Sequence, residues 1–528
     1  MTRPSHTPWR PHRDISEWIA WGSVLLAGVI GAIFVLVATR GGPATSPDSA
    51  VYLSGAENLF LARRYSDFQL LAINIEPPGF SLSIAALRVL GIHIFSGARF
   101  INATAIGILP VVSYALLKRL VTHRLLAVLG AIAIACAPGL NAVGVWVWSE
   151  PVFCVIGVSM LVAIARAAER THRQLTWIMV AATLAGIGFI YRYAGVTYII
   201  ALVGCVLLIE LPRGWRVAVR STLAAAGVSL VLPVILLLRN ASHGPLLGPR
   251  LPSNEHFLGM SKASAQVFGS WILAGHPSAW QSGGILIIAI TIASCALIVR
   301  RIAHEGVTTT RSTLTISVGG LLGIYLIFIF WSSLTTWISP PSDRIYCPMY
   351  VPLLTMVIVG ADALLGLDWI SKRRVISAGV LAVIALWVGL NVAQTYRNAR
   401  SGNASQVRFS SRAWKTSAFM DAVRHIPTGA QILSNEPSGI YLATERAPLG
   451  FLPLQPADNP SARAATTQQI MTKLHAAPTP LYLAWSIPNR RDYLISPMAL
   501  AELGITMRTI MTSTHGAIYR VTGSHGGR

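Results

Sequence analysis

The sequence is poor in charge, and poorest in acids. Only 12% of its 528 residues are charged, with 20 Asp and Glu set against 42 Lys and Arg. A soluble chain carries about twice that charged fraction, so a set of water-facing globules is excluded. Cysteine is sparse: Cys136, Cys154, Cys205, Cys295 and Cys347 stand singly in or beside apolar runs. Without C-x-x-C or Cys/His spacing, neither a zinc site nor a disulfide framework is indicated. No Gly-rich phosphate-cradling loop occurs, so a nucleotide donor is not supported. The His residues are scattered without acidic partners at ligand spacing, and no Ser/His/Asp order is visible. Neither a metal nor a cofactor is expected.

What is abundant is apolar sequence, at 53% of residues, with a mean hydropathy of +0.57. It falls in blocks near 17–39, 98–117, 125–142, 145–165, 175–191, 195–212, 221–238, 284–299, 312–331, 348–367 and 375–392. Blocks of roughly 18 or more residues are long enough to cross a bilayer as helices. The fold class expected is mainly α: a polytopic transmembrane bundle of about eleven spans. The first block is too long for a signal-peptide core and reads as a retained span.

The net charge of +22 sits in short clusters between these blocks, which is how topology-setting loops look, so nucleic acid is not an expected partner. Arg3, Arg10 and Arg13 precede span one. Lys118, Arg119 and Arg124 follow span two; Arg166, Arg170 and Arg173 follow span four. Arg213, Arg216 and Arg220 follow span six; Arg300, Arg301 and Arg311 follow span eight; Lys372, Arg373 and Arg374 follow span ten. Every second loop is short and basic, which assigns the N-terminus to the cytoplasm and the C-terminus outside. The expected organisation is a cytoplasmic segment, 1–16; a transmembrane unit, 17–392, with outer loops 40–97 and 239–283; and an outer tail, 393–528.

The tail reads as a small α/β unit. "AQILSN" (430–435) and "TPLYLAW" (479–485) look like buried strands, "MALAELG" (498–504) like a helix, and 507–521 like a hairpin turning near Thr514–Gly516.

Candidate reactive residues gather on the outer side. In "TSPDSAVYLSGAENLF", Ser46 suits an N-cap and Pro47 the first helical position. Asp48 then lies in the first turn, where the helix dipole favours its ionised form. Tyr52 and Gly55 follow on the same helical face. The same residues equally suit the start of a plain interfacial helix. "NIEPPGFSLSIAALRVLG" (74–91) places Glu76 before a proline elbow and an interfacial helix. Glu150, in "VWVWSEPVF", opens span four, where an acid is costly unless partnered. Arg192 is the lone charge of a tight outer turn. Arg239 and Arg250 flank a Gly/Pro-rich loop, and Asp343, Arg344 and Tyr346 stand just above span ten. Arginine matches phosphate through its planar fork, although any one of these also suits the membrane interface.

The ordered set "PDSAVYL", "EPPGFSLSIAALRVLG", "SEPVF", "YRYAGV", "RNASHGPLLGPR" and "SDRIYCPMYVPLL" resembles the GT-C-type integral membrane glycosyltransferases, nearest the protein O-mannosyltransferase and aminoarabinose-transferase-like group. "SNEPSGIYLATER" (434–446) looks like the outer C-terminal part of prokaryotic members. The resemblance implies a polyprenyl-phosphate-linked sugar donor, with Asp48 as the first-loop acid and Glu150 as a second. It implies Tyr52, Glu76, Arg192, Arg239, Arg250, Arg344 and Tyr346 as substrate-binding candidates. The sequence departs from the family twice: Asp48 is followed by Ser49 rather than a second acid, and Glu76 stands where many members carry a basic residue.

The function this implies is inverting transfer, with Asp48 as general base, to a glycolipid, cell-wall glycan or protein hydroxyl in the cell envelope. A transporter or flippase of a lipid-linked saccharide is the alternative. It is disfavoured because mid-span charge is nearly absent and transporters put theirs at the midplane. A non-catalytic scaffold is disfavoured by the long first loop with its buried-looking helix.

Overall fold

The apolar blocks become helices because lipid cannot satisfy a peptide group, so each crossing segment must bond its own backbone. In the computed structural model the residues described are 15–169, 173–250, 252–253, 255–273, 275–336, 342–371, 373–450, 472, 480–487 and 494–524. Arg3, Arg10, Arg13, Arg170 and Lys372 of the basic clusters lie outside them. Among the described residues, ten helices are long and apolar enough to cross a membrane, or eleven if one bent pair counts as a span.

The first of them is α1 (Ile15–Ala38). Two juxtamembrane helices follow, α2 (Pro47–Ala62) and α3 (Gly79–Val89), as expected for the first loop. Then come α4 (Ile94–Leu120), the bent pair α5 (Arg124–Ala135) and α6 (Pro138–Gly144), and α7 (Glu150–Ala168). The expected continuous span at 125–142 is thus broken, with a 41° bend. Pro138 has no N–H to continue α5, and it forces Ala137 into extended backbone at φ −65°, ψ 119°. Span four starts at Glu150 rather than 145, because Ala44 pairs with Trp146 as an isolated bridge.

Next come α8 (Gln174–Tyr191), α9 (Val196–Glu210), α10 (Trp215–Ala241) and α12 (Trp280–Glu305), with α11 (Phe257–Ile272) between the last two. Helix α11 lies inside the stretch expected as the second outer loop, 239–283, and is not one of the candidate spans. Its Gly269 backs onto the Trp280 carbonyl so closely that a Cβ would lie 1.7 Å from it, so α11 packs flush on α12. The bundle is completed by α13 (Thr310–Thr335), α14 (Asp343–Leu365), the short α15 (Asp368–Ser371) and α16 (Arg374–Ser401).

The basic loops meet on one face of the bundle. Lys118 pairs with Glu17 at 2.8 Å, Arg119 with Glu169 at 2.8 Å, Arg301 with Asp362 at 3.1 Å and Arg311 with Glu305 at 3.6 Å. These residues begin α1 and α13 or end α4, α7, α12 and α14, so the start of α1 and the four connections that follow α4, α7, α12 and α14 share that face. The opposite face carries α2 and α3.

Beyond α16 lie α17 (Arg412–Lys415) and α18 (Ala418–His425). The sheet follows, with β1 (Gln431–Ser434), α19 (Pro437–Thr444), β2 (Leu449–Gly450), β3 (Leu481–Ser486), α20 (Pro497–Glu502), β4 (Ile505–Ser513) and β5 (Gly516–Ser524). Its order is β2-β1-β3-β5-β4, with β1 parallel to both neighbours and the β4–β5 hairpin antiparallel. This region sits on the α2 loop. Phe68 stacks on Tyr441 at 4.7 Å, Gln69 donates to the Pro448 carbonyl, and the Thr45 and Ser410 hydroxyls are 2.8 Å apart.

Candidate active site

Helix α2 is held at its start by a reciprocal cap. The Ser49 amide donates to Ser46 Oγ at 3.4 Å, and the Ser46 amide donates to Ser49 Oγ at 2.9 Å. With Pro47 at the first helical position, Asp48 is fixed in the first turn. Ser49 Oγ also donates to the Val147 carbonyl at 3.1 Å, which docks the helix start against the segment leading into α7.

Asp48 forms an ion pair with Arg344, from the first turn of α14. Arg344 turns its Nε to Glu150 Oε1 at 2.6 Å, and Arg192 donates to that same oxygen. Glu150 is completely buried, yet among the described residues its Oε2 has no hydrogen-bond partner, and neither does Arg192 Nε. Buried polar atoms are rarely left so, and each one calls for an explanation. The Arg344 guanidinium lies 4.5 Å above the ring of Trp148, which stacks on Trp146 at 4.4 Å and donates to Ser46 Oγ at 2.8 Å. An aromatic face attracts a guanidinium by its quadrupole, so the α7 approach holds Arg344 from below while the acids hold its nitrogens.

Tyr52, one turn beyond Asp48, is completely buried and donates to Glu76 Oε2 at 2.7 Å. Ser149 Oγ lies 3.1 Å from the same hydroxyl and 3.3 Å from Arg192 Nη1, linking the two halves of the cluster. Burial works against the Asp48 carboxylate, but Arg344 beside it, helped by Arg192 and Arg250, holds it below the usual range. Glu76 goes the other way. Burial first and the Asp48 charge second push its carboxyl up to about 7, against the pull of Arg344, Arg192 and the hydrogen bond from Tyr52.

The structure therefore brings together Asp48, Tyr52, Glu76, Glu150, Arg192 and Arg344. Arg250 is exposed beside them, donating to the Ile75 carbonyl at 3.2 Å. Arg239 has another occupation: its nitrogens go to the Ile73 carbonyl, to Asn74 Oδ1 and Asn240 Oδ1 at 3.0 Å each, and to the Tyr65 carbonyl at 2.8 Å. It clamps the α2–α3 loop to α10. Tyr346 points away, buried with its hydroxyl 2.5 Å from Ser264 Oγ of α11. It lies two residues after Arg344, and two residues turn a helix by about 200°, so both cannot face Asp48. Asp343 faces α11 too, accepting from Trp271 Nε1 at 2.8 Å. Trp148 and Ser149 were missed as site residues, although the Trp-x-Trp beside a membrane-edge acid was in view.

A family model for dolichyl-phosphate-mannose-protein mannosyltransferases matches residues 76–238. No curated protein matches the sequence. Among solved structures, ArnT from Cupriavidus metallidurans, crystallised with undecaprenyl phosphate, is 14% identical, with 98% of this chain and 100% of that one covered and a TM-score of 0.59. The archaeal oligosaccharyltransferase AglB from Archaeoglobus fulgidus is 12% identical over 96% of this chain and 75% of its own, at a TM-score of 0.55. The arabinofuranosyltransferase AftD from Mycobacteria is 15% identical over 95% of this chain and 40% of its own, at 0.53. The chain thus has the fold of the GT-C-type integral membrane glycosyltransferases.

Proposed function

We propose that the chain transfers a sugar from a polyprenyl-phosphate-linked donor to a hydroxyl acceptor, a glycolipid, envelope glycan or protein, on the non-cytoplasmic side of the membrane. The observation that carries this reading is the convergence of Asp48, Glu150, Arg192 and Arg344 on the face opposite the basic loops. Sidedness follows from the positive-inside rule, which makes the basic face cytoplasmic. The transmembrane unit, 17–392, then ends with α14 and α16 beneath an outer C-terminal part.

Arg344, Arg192 and the exposed Arg250 hold the lipid phosphate. A phosphate at Arg344 competes with Asp48 for the same nitrogens. It draws the cation away and leaves Asp48 free to accept the acceptor hydroxyl's proton. That hydroxyl has a pKa far above neutrality, so a positioned base is needed. The phosphate, its charge held by guanidinium, leaves from the opposite face, and the anomeric centre inverts. Glu150 keeps both arginines charged and aimed. The pairing of AglB with dolichol-phosphate and of ArnT with undecaprenyl phosphate supports this class of donor.

The test is Asp48→Asn in purified membranes, assayed with polyprenyl-phosphate sugars and envelope acceptors. The variant keeps the shape of Asp48 and loses the base, so the protein stays folded and transfer falls about 10²–10⁴-fold. Full activity would remove Asp48 from the mechanism.

A further inference from the structure

The five cysteines stand far apart in the sequence, and the fold brings two of them together. Cys154 is the fifth residue of α7 and Cys347 the fifth of α14. Their sulfurs lie 3.9 Å apart, both side chains are buried, and both thiols are free. The contact joins positions 193 residues apart, so no local spacing could have shown it.

Both thiols lie at the same depth. Four residues into a helix is about 6 Å along its axis, counted from Glu150 on α7 and from Asp343 on α14. The first turns of these two helices carry Glu150 and Arg344, so the sulfurs meet one turn beneath the acid–arginine cluster. On the sidedness proposed above, that face meets an oxidising compartment, where disulfides persist.

The packing around the pair fixes which way each thiol faces. On α7, Phe153 stacks on Tyr198 at 4.4 Å, and its carbonyl accepts from the Tyr198 hydroxyl at 3.0 Å. A Cβ on Gly157 would lie 2.4 Å from that ring. On α14, the Tyr325 hydroxyl donates to the Ile345 carbonyl at 3.1 Å, and Trp271 donates to Asp343 at 2.8 Å. Arg344 Nε on Glu150 Oε1, at 2.6 Å, ties the two helix starts together. The sulfurs are thus held about 2 Å short of the S–S bonding distance, on helices already in contact.

The Cys347 thiol also completes its own helix. Pro348 has no N–H to give to the carbonyl four residues back, that of Arg344. Cys347 Sγ takes the freed place, 3.4 Å from the Arg344 carbonyl oxygen. Conversion of that S–H to a disulfide removes a donor from the turn that carries Arg344.

We propose that Cys154 and Cys347 form an oxidation site, at which a peroxide converts the two thiols to a disulfide that ties α7 to α14 beneath Glu150 and Arg344. One sulfur attacks a peroxide oxygen, the O–O bond breaks, and a sulfenic acid and one water result. The second sulfur attacks the sulfenic sulfur, the S–S bond forms, and the hydroxyl leaves as a second water. The sulfurs give up two electrons, the peroxide takes them, and both thiol protons end in water. Hydrogen peroxide suits a buried pair because, unlike a protein oxidant, it is small and uncharged.

The experiment treats the full-length chain in detergent with hydrogen peroxide and removes the oxidant with catalase. Remaining thiols are alkylated as the protein is denatured, and the peptides are mapped by mass. Two of the five thiols should escape alkylation. They should appear as a linked pair of peptides carrying Cys154 and Cys347, lighter by two hydrogens than the reduced peptides together. Dithiothreitol should restore all five. Cys154→Ser and Cys347→Ser should each leave the other cysteine unlinked; if a serine variant fails to fold, the linked wild-type peptides still decide. Five alkylated thiols after treatment, oxygen added to either sulfur without a link, or a link through the exposed Cys295 overturns the proposal. No readout involves sugar transfer, so the oxidation site stands or falls independently of the glycosyltransferase reading.

Discussion

Helix α14 meets a buried acid at each end, and the two acids are treated differently. At the basic face Asp362 accepts from the Thr122 amide at 2.9 and 3.0 Å, the His123 amide at 3.0 Å, His123 Nδ1 at 2.8 Å and Arg301 at 3.1 Å. Both oxygens are saturated, and two of the donors are backbone. At the other face Glu150 takes two arginines on one oxygen and leaves the second without a partner among the described residues. One of those arginines is shared with Asp48, a residue on a different element with a partly exposed side chain. A saturated acid ties helices together. An unsaturated one, one of whose cations is shared with Asp48, leaves acceptor capacity unused in a buried place, where it costs most.

The strongest way to break this comparison is Asp48→Asn, which should lower transfer about 10²–10⁴-fold while leaving Asp362 and its donors untouched. Arg344→Ala comes next. It leaves Glu150 half-compensated and Asp48 bare, and losing one partner of a buried pair costs about 3–5 kcal/mol. Both the thermal midpoint and the transfer rate should drop, and loss of rate with an unchanged midpoint would show the pair to be structurally idle. Asp362→Asn inverts the pattern. It loses charge-assisted bonds worth about 1–3 kcal/mol, so the midpoint falls while the rate per folded molecule holds; a lost rate would erase the distinction between the two ends.

A pH effect sharpens the site itself. Glu76 is raised to about 7 in the fold from an ordinary 4.5, so the unfolded chain gives up the proton first. Folding is then penalised progressively as pH climbs through that window. Glu76→Gln should melt higher than wild type at about pH 8 and the same at about pH 4.5. Asp48 has the opposite sign: its contribution is present at neutral pH and disappears only as pH falls through its depressed value. The smallest effect belongs to Arg250→Ala. An exposed arginine is well screened, so the donor KM should rise only a few-fold, with an effect that fades in high salt.

Most of the bundle was legible because a run of apolar residues long enough to span lipid has one outcome. The break at Pro138 was not read, although Ala-Pro keeps the helix from continuing: the block 125–142 counted as one span because its apolar run does not stop there. What the sequence withheld was facing. Arg344 and Tyr346 sit side by side in a motif, yet the helix turns one to Asp48 and the other to Ser264. Arg192 and Arg239 were equal candidates as lone arginines near the membrane. What separates them is the loop at Tyr65–Asn74, whose carbonyls occupy Arg239. Helix α11 was hidden because a helix lying along its neighbours needs only a modest apolar stripe, which a search for spanning blocks passes over. Trp148 could not be read as a platform for Arg344 before α14 was placed above it.

The contacts that build the site also set when it can exist. Arg239 reaches a carbonyl 166 residues earlier in the chain, and Arg344 reaches Glu150 across 194 residues. A chain leaving the ribosome from its N-terminus has Asp48, Glu76 and Glu150 in place long before either arginine. Until α14 arrives, Arg192 is the cation paired with Glu150 and Asp48 lacks its partner. The cluster closes only when α14 enters the membrane and brings Arg344 to Asp48 and Glu150. A nascent or truncated chain lacking that helix would thus leave Asp48 without its cation, so the cluster is completed only late in membrane insertion.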